Sequence, residues 1–319
     1  MGVCISRFVL LKKLNAKGDT RKNVELKNFT TFRLGGKAKY FLTIKTLENF
    51  LKVMDYIEKH NLEYFILGAG SNVLIADSGY SGIVIKLGGD ISRISIDDDL
   101  VEVGAGARAV EVYTRCRDAS LSGLETLATI PATIGGMVYM NAGAYGVEIG
   151  DIIEYVVAYT HGKIKFFTRD ECGFDYRKSV FQNLSSVILR VGLRLRHSSK
   201  EEIHTRYLEV LKQKQLSQPL DKFSAGSVFR RIEGLSISKM LDDMGSKGMS
   251  IGGAMVSTKH ANFIINEGAR AQDVFDLIQI LKKKFKDTYG IDIKSEIKFL
   301  GDFYETNGWF SYTYQLYSW

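Results

Sequence analysis

The stretch IPATIGGMVYMNAGAYG, residues 130–146, is apolar and rich in glycine, and it is the most informative feature of the sequence. It lies within an uncharged run, Thr126 to Val147, which is slightly longer than the roughly 20 apolar residues of a transmembrane helix. Pro131 and the pair Gly135 and Gly136 argue against such a helix, because proline and glycine interrupt helical periodicity and permit close backbone approach to another group. We therefore predict a buried loop that lines a ligand, not an ordinary helix or strand.

Two further glycine loops precede this stretch. Gly68-Ala69-Gly70-Ser71-Asn72 follows the short apolar run Tyr64 to Leu67, which is typical of a strand, and Val103-Gly104-Ala105-Gly106 is the second. Small residues after a strand leave backbone N–H groups free to converge on an anion such as a phosphate. The first loop lacks the third glycine and the following helix of a Rossmann fingerprint, so alone it is weak evidence. Three glycine loops in one domain favour a long ligand such as a dinucleotide.

Composition limits the possible classes of protein. The chain has 319 residues, of which 45% are hydrophobic, so it is long enough for two domains. The net charge of +7 is compatible with nucleic acid, an anionic membrane or a small polyanionic substrate. The three cysteines are far apart without a CxxC motif, and the histidines form no HExxH pair, so we expect a reducing compartment and no metal site.

The N-terminal sequence MGVCIS formally matches a myristoylation pattern through Gly2, with Cys4 as a palmitoylation candidate, and we attribute the match to chance. Charged residues interrupt the apolar segment that a signal peptide would need. We therefore expect a cytoplasmic protein without membrane attachment and without an obligate protein partner.

Periodic patterns predict the elements around the glycine loops. Val187 to Leu195 alternates apolar residues with Arg190 and Arg194, which indicates a half-buried strand. Thr46 is a candidate N-cap for the first predicted helix. The predicted helices are 47–57, with Leu47, Phe50, Leu51, Met54 and Ile57 inward; Arg108 to Leu121, with Val112, Tyr113 and Cys116 inward; Lys200 to Leu216; Ile237 to Met244, closed by Gly245; and Asp273 to Thr288, before Gly290.

Five motifs, in this order, carry a family resemblance: LGAGSNVL (67–74), IPATIGGMVYMNAGAYG (130–146), FDYRKSVF (174–181), SAGSVFRR (224–231) and SEIKFLG (295–301). With these five motifs, the chain from about Thr31 to Gly301 resembles the UDP-N-acetylenolpyruvoylglucosamine reductases of peptidoglycan synthesis. The resemblance implies an α+β fold with an FAD-binding domain of the vanillyl-alcohol oxidase (PCMH) type, followed by a smaller α+β substrate-binding domain. We expect an N-terminal extension at 1–30, the FAD-binding domain at 31–198, the substrate-binding domain at 199–302 and an unassigned aromatic tail at 303–319.

The same resemblance implies the reaction. Noncovalently bound FAD is reduced by NADPH and passes hydride from N5 to the enolpyruvyl β-carbon, and a proton then reaches the α-carbon to give UDP-N-acetylmuramate. Hydride addition builds negative charge at the carboxylate end of the enolpyruvyl group, which a fixed cation stabilises. Arg177 matches the family residue for that role, Ser227 matches the proton donor, and Glu296 matches a third catalytic residue that orients the carboxylate end.

The motifs also indicate binding residues. For the UDP-sugar we expect Tyr176, Arg230, Arg231, Lys259 and His260. For FAD we expect Gly68, Ala69, Gly70, Ser71, Asn72, Gly104, Gly106, Pro131, Thr133, Ile134, Gly135, Gly136, Asn141, Gly143 and Ala144.

The chain departs from the family pattern at Ala132, where the family usually has glycine, and at Ile232, where it often has proline. The short interval between Arg177 and Ser227 resembles the subclass without an inserted tyrosine loop, so how the site is covered stays open. Two other functions remain as alternatives: a flavin oxidase on the same fold that returns electrons to oxygen, and a basic nucleic-acid-binding protein that uses its aromatic residues for stacking.

Overall fold

The computed structural model describes residues 19–184 and 186–304. Its helices in these ranges are α1 (Leu47–Lys59), α2 (Ala109–Asp118), α3 (Ile134–Met140), α4 (Lys200–Ser217), α5 (Ile237–Asp243) and α6 (Ala271–Tyr289). Its strands are β1 (Asp19–Glu25), β2 (Lys37–Ile44), β3 (Tyr64–Ile66), β4 (Val73–Ile75), β5 (Tyr80–Leu87), β6 (Ile94–Asp97), β7 (Leu100–Gly104), β8 (Leu121–Ser122), β9 (Gly143–Ala144), β10 (Val147–Glu148), β11 (Ile153–Thr160), β12 (Lys163–Thr168), β13 (Ser186–Arg194), β14 (Arg196–His197), β15 (Ser250–Ile251), β16 (Ala254–Val256), β17 (Ile264–Asn266) and β18 (Lys298–Leu300).

Two sheets form the first part of the fold. One has the strand order β1-β2-β5-β3, with β1 antiparallel to β2 and the other pairs parallel. α1 packs on it, because Phe50 and Met54 share a core with Leu42 and Ile85. The other sheet is antiparallel, in the order β12-β11-β13-β7-β6. α2 and α3 cover it, and this second packing surface forms the largest apolar core of the described residues.

A separate core lies around α5, α6 and the small antiparallel sheet β15-β16-β17. Phe32 and Leu74, from the first part of the chain, also pack into it. β18 pairs in parallel with β4, with Lys298 opposite Val73. The two parts of the chain are therefore joined beside the Gly68–Asn72 loop, and this pairing brings residues near 296 to that loop.

Most of the predicted elements are confirmed. Thr46 caps α1, and its hydroxyl accepts a hydrogen bond from the Asn49 amide at 3.2 Å. α2 buries Val112, Tyr113 and Cys116 as expected. Gly245 and Gly290 follow α5 and α6 with φ angles of 71° and 70°, the left-handed geometry that glycine adopts after a helix. In β13, Arg190 and Arg194 are exposed, but Ile188 is buried as well because the strand lies in the middle of its sheet.

Two local predictions are wrong. Residues 130–146 are not entirely loop, because α3 spans Ile134–Met140. The Gly135 and Ile134 amides donate to the Ala105 and Ala107 carbonyls, so the helix begins against the chain that follows β7, and glycine allows this close approach. In α1, Leu47 and Leu51 are 38% and 37% exposed, since the helix turns Val53 and Tyr56 inward instead.

The structure also differs at the expected segment limits. Residues 19–30, predicted as extension, contain β1 and the fully buried Leu26. Phe303, predicted as tail, is buried and stacks on Phe275 with ring centroids 5.0 Å apart. α4 contributes Ile203 to the core of the first part, so we propose a domain boundary after α4 in place of Ser198. The acylation pattern at Gly2 and Cys4 and residues 305–319 lie outside the described residues.

Across the described ranges, no helix has the length and apolar character needed to span a membrane. Within the same ranges, no cluster of three or more histidine, cysteine, aspartate or glutamate side chains could hold a metal ion.

Candidate active site

A cavity of about 1490 Å³ lies where the two parts of the fold meet. Most of the residues expected from the sequence line it, and they come from distant places in the chain. Those lining residues are Gly68, Ala69, Gly70, Ser71, Asn72, Gly106, Pro131, Thr133, Gly135, Gly136, Gly143, Ala144, Tyr176, Arg177, Ser227, Arg231 and Glu296. Gly104, Ile134, Asn141, Arg230, Lys259 and His260 are not among the lining residues.

The Gly68–Asn72 loop has the form of an anion cradle. Its carbonyls are occupied, since Gly70 accepts from the Thr31 amide and Asn72 accepts from the Lys298 amide. The amides of the loop, in contrast, donate to no acceptor in the described part of the chain. Gly70 has a φ of 68°, and an added Cβ would lie 2.1 Å from the Phe29 carbonyl oxygen. The loop is thus held from behind with its N–H groups available to a phosphate.

Two cations that the sequence interpretation missed stand beside this loop. Lys86 donates to the Gly68 carbonyl at 2.7 Å, and both Lys86 and Arg108 line the cavity. Burial, and then the nearby Arg108 guanidinium, lower the pKa of Lys86. Neither side chain forms an ion pair with a carboxylate of the described residues. Two neighbouring cations without a counter-ion favour binding of an anionic group, such as the diphosphate of a dinucleotide.

The glycine-rich stretch at 130–146 forms the adjoining wall. A Cβ added to Gly68 would lie 2.7 Å from the Thr133 hydroxyl oxygen, so the Gly68–Asn72 loop meets the 130–146 stretch here. Thr133 caps α3 and accepts from the Gly136 amide at 3.4 Å. Two loops distant in the sequence therefore adjoin in the wall of one cavity.

The glycine loop at Val103–Gly106 serves packing more than binding. A Cβ on Gly104 would lie 2.3 Å from the Ile91 carbonyl oxygen, and one on Gly106 would lie 2.6 Å from the Leu87 carbonyl oxygen. Both glycine amides are already bonded to backbone carbonyls. These glycines let β7 approach the preceding turn closely. Ile134, which was also expected to bind the cofactor, is fully buried in the core.

Arg177 lines the cavity in a turn where its φ is 53°, and its partner Glu296 accepts a hydrogen bond from the Asn72 side chain at 3.1 Å through its backbone carbonyl. Its Nε donates to Glu296 Oε1 at 2.6 Å and its Nη2 donates to the Gly143 carbonyl at 3.0 Å. The side chain is 16% exposed. This holds a positive charge in a partly desolvated place where it can stabilise developing negative charge.

Backbone pairing places Ser227 next to the segment that carries Glu296. The Val228 carbonyl accepts from the Glu296 amide at 2.8 Å, and Val228 donates to the Asn262 carbonyl at 2.9 Å. The Asn262 side chain bonds to both backbone polar groups of Phe229. The segment after Ser227 is thereby fixed, and Ser227 lines the cavity together with Arg177 and Glu296.

Tyr176 lies between two guanidinium groups. Arg177 and Arg231 are 4.8 Å and 4.7 Å from its ring centroid, and its hydroxyl accepts from the Arg231 amide at 3.1 Å. Cation–π contacts of this kind hold a guanidinium in place while leaving its N–H groups available. Arg231 is exposed at the cavity edge, so it is positioned to meet an anionic ligand.

The other three expected substrate residues, Arg230, Lys259 and His260, do not line the cavity. Lys259 donates to the Gln215 carbonyl near the end of α4. His260 accepts from the Asn262 amide at 3.3 Å, and burial lowers the pKa of its imidazole. The Arg230 Nε is buried without a hydrogen-bond partner in the described chain.

Two further lysines that line the cavity were not predicted from the sequence. Lys214 of α4 is 7% exposed, and its Nζ donates to the Thr129 carbonyl at 3.3 Å. Burial lowers the pKa of Lys214 to about 8. Lys298 of β18 lines the cavity, and burial followed by the Arg230 charge lowers its pKa. Neither stands in a sequence pattern that indicates which way its side chain points.

Comparisons with known proteins agree with this geometry. Residues 38–163 match the family model of the FAD binding domain, and residues 218–300 match the model of the UDP-N-acetylenolpyruvoylglucosamine reductase C-terminal domain. The reductase of Syntrophomonas wolfei is 39% identical over 282 residues, which are 88% of this chain and 94% of that protein. The reductase of Pseudothermotoga lettingae is 36% identical over 275 residues, with coverages of 86% and 95%.

Among solved structures, the UDP-N-acetylenolpyruvylglucosamine reductase of Thermus caldophilus superimposes with a TM-score of 0.78 at 35% identity. The match covers 88% of this chain and 99% of that chain. The predicted α+β fold, with an FAD-binding domain of the vanillyl-alcohol oxidase (PCMH) type and a second α+β domain, is confirmed, as is FAD as cofactor. The chain belongs to the UDP-N-acetylenolpyruvoylglucosamine reductase family of FAD-containing oxidoreductases of peptidoglycan synthesis.

Proposed function

We propose that this protein reduces the enolpyruvyl group of UDP-N-acetylenolpyruvoylglucosamine to the lactyl ether of UDP-N-acetylmuramate, with NADPH as the source of electrons. The observation that carries the proposal is that Arg177, Ser227 and Glu296 line the same cavity as the unbonded amides of the Gly68–Asn72 loop. The loop suits the diphosphate of a dinucleotide, and the three side chains suit a carboxylate-bearing substrate beside it. The family membership supports the choice of UDP-sugar.

The residues around the Gly68–Asn72 loop have the chemistry that FAD binding requires. The amides of Gly68–Asn72, with Lys86 and Arg108 beside them, would hold the diphosphate, and the wall from Pro131 to Gly136 would hold the rest of the cofactor. No histidine or cysteine of the described residues lines the cavity, which supports noncovalent binding. Bound FAD supplies the hydride that the enolpyruvyl β-carbon accepts.

Arg177 acts on the substrate carboxylate end. As the β-carbon gains hydride, electron density moves toward the α-carbon and its carboxylate, and an enolate develops. A guanidinium already fixed by Glu296 and the Gly143 carbonyl requires little rearrangement to stabilise that charge. We assign Glu296 to orienting the same end of the substrate through its contact with Arg177.

Ser227 donates the proton to the α-carbon. Ser227 lines the cavity and precedes a segment fixed by the Val228 and Asn262 bonds, so the backbone position of the donor is defined. A serine hydroxyl is a weak acid in water, and the proposal requires that the bound substrate exclude water and that nearby cations favour the alkoxide. Positioned proton donors typically contribute about 10² to 10⁴ in rate.

The UDP group would bind where Arg231 and Lys298 reach the cavity, with Tyr176 holding Arg231 in place. Arg230, Lys259 and His260 stay weaker candidates because they are not lining residues. We also propose a cytoplasmic location, with NADPH and the UDP-sugar as the small-molecule partners. The reaction requires neither nucleic acid nor an obligate protein partner.

The test is stopped-flow measurement of Ser227→Ala. We expect flavin reduction by NADPH at the wild-type rate and reoxidation by the enolpyruvyl sugar slowed by about 10² or more, because only the second half of the reaction needs the proton. Ser224→Ala, another hydroxyl of the same cavity, is the matched control and should reoxidise normally. Equal reoxidation in Ser227→Ala and wild type removes Ser227 from the donor role.

A further inference from the structure

The Arg177 guanidinium is held from two sides, and only one side faces the cavity. Glu296, which lines the cavity, accepts from Nε. On the other side, Nη1 lies 3.5 Å from Glu148 Oε1 and 3.4 Å from the Asn141 carbonyl oxygen. Glu148 and Asn141 are not lining residues. Arg177 therefore contacts a second carboxylate that is placed away from the substrate.

Asn141 fixes that second carboxylate. It is 2% exposed, and its side-chain amide donates to Glu148 Oε2 at 2.6 Å and to the Asp175 carbonyl at 3.0 Å. Its side-chain oxygen accepts from the Gly150 amide at 3.0 Å. With a φ of 42° it ends α3 in the left-handed region, which asparagine tolerates well. The polar atoms of its side chain are all engaged within the protein, so Asn141, expected to bind the cofactor, supports Glu148 instead.

The hairpin β9–β10 places Glu148 against Arg177. Tyr145 and Gly146, with φ angles of 52° and 80°, reverse the chain, and Glu148 then lies directly opposite Gly143. A Cβ on Gly143 would lie 2.8 Å from Glu148 Cγ, so the absence of a side chain at 143 makes room for the glutamate. The Gly143 carbonyl is itself an acceptor for Arg177 Nη2. One strand pair thus supplies two of the four acceptors of the guanidinium.

We propose that Glu148 is a positioning residue, which acts through Arg177 and fixes its guanidinium when the substrate carboxylate end enters the cavity. The substrate then competes with Glu296 for the same cation, because both are acceptors on the cavity side. Glu148 lies outside the cavity and keeps its contact, so the guanidinium stays aligned while Glu296 adjusts. This inference rests on the proposed reduction of the enolpyruvyl sugar.

The test compares Glu148→Gln with the wild-type holoenzyme. Glutamine keeps an acceptor for Asn141 but removes the negative charge beside Arg177, so the fold is retained. We expect the FAD dissociation constant and the rate of flavin reduction by NADPH to stay within about twofold. We expect reoxidation by the enolpyruvyl sugar to slow by about 10- to 100-fold, the size that a misplacement of about 1 Å produces. Glu154→Gln, an exposed carboxylate paired with Arg194, is the matched control and should change none of these values.

A double-mutant cycle separates positioning from a structural role. In an Arg177→Ala background, Glu148→Gln should have no further effect on reoxidation, because its route of action is gone. Equal loss in both backgrounds, or no loss in Glu148→Gln alone, overturns the inference. A wild-type enzyme that the enolpyruvyl sugar does not reoxidise overturns the proposed function, and the positioning role with it. Wild-type reoxidation with an unaffected Glu148→Gln overturns the positioning role alone.

Discussion

Replacing Lys214 with methionine should stabilise the protein at neutral pH. This lysine is 7% exposed, and it has one hydrogen bond, to the Thr129 carbonyl. Burial lowers its pKa from 10.5 to about 8, which corresponds to a cost on the order of 3 kcal/mol for the charged form. Methionine fills similar space without charge, and it loses a charge-assisted hydrogen bond worth about 1.5 kcal/mol. The net gain at neutral pH is therefore about 1 to 2 kcal/mol.

The sign of the pH dependence follows from the lowered pKa. Below pH about 8 the folded and unfolded chains both carry the proton on Lys214, so the full cost is present in the wild type. As pH rises from about 8 toward 10.5, the folded chain loses this proton first, and the wild type becomes more stable relative to the variant. Between pH about 7 and about 9.5 the advantage of Lys214→Met should shrink by about 2 kcal/mol.

The assay is urea unfolding of the holoenzymes at both pH values, with FAD in excess. Lys214 lines the cavity, so the FAD affinity of each variant is measured and its contribution to the unfolding free energy is subtracted. Lys212→Met, at an exposed position of the same helix, is the matched control and should change stability by less than about 0.5 kcal/mol. A Lys214→Met protein that is less stable at neutral pH, or an advantage that does not shrink with pH, refutes the reasoning.

Two further predictions concern the Gly68–Asn72 loop and the lysine beside it. Lys86→Met should raise the FAD dissociation constant about tenfold, and by more at low salt. The dissociation constant of riboflavin should not change, because riboflavin lacks the diphosphate. Equal effects on both ligands would exclude a diphosphate contact. Gly70→Ala should lower the unfolding free energy by about 2 kcal/mol or more, because it adds a clash with the Phe29 carbonyl to the strain of a φ of 68°. Gly146→Ala is the control, because Gly146 has a φ of 80° and no neighbour within 4 Å, so this variant carries the backbone strain alone. It should lower the free energy of urea unfolding by about 1 kcal/mol. An equal loss of unfolding free energy in both variants would contradict the clash.

The positions of the three candidate catalytic residues could be predicted from the sequence because motifs carry them. Arg177, Ser227 and Glu296 each stand in a recognisable local pattern, and all three line the cavity. Their roles depend on substrate contacts, which no local pattern contains. The element predictions succeeded where a cap or a glycine marks an end, as at Thr46 and Gly290.

The remaining features depend on contacts between distant residues. Gly104 has the same sequence signature as a ligand glycine, yet it is glycine because Ile91 packs against it. Asn141 lies inside a cofactor motif, but its partners at Glu148 and Asp175 are visible only after folding. Lys86 and Lys214 are ordinary lysines in a strand and a helix, and only burial distinguishes them from solvated ones.

The central claim is that flavin in this cavity reduces the enolpyruvyl sugar. The most direct measurement is anaerobic mixing of the NADPH-reduced holoenzyme with UDP-N-acetylenolpyruvoylglucosamine, following flavin absorbance and product by mass spectrometry. We predict complete reoxidation without oxygen, with one UDP-N-acetylmuramate formed per flavin. A flavin that stays reduced until oxygen is admitted, with the enolpyruvyl sugar recovered unchanged, would contradict the claim and favour an oxidase.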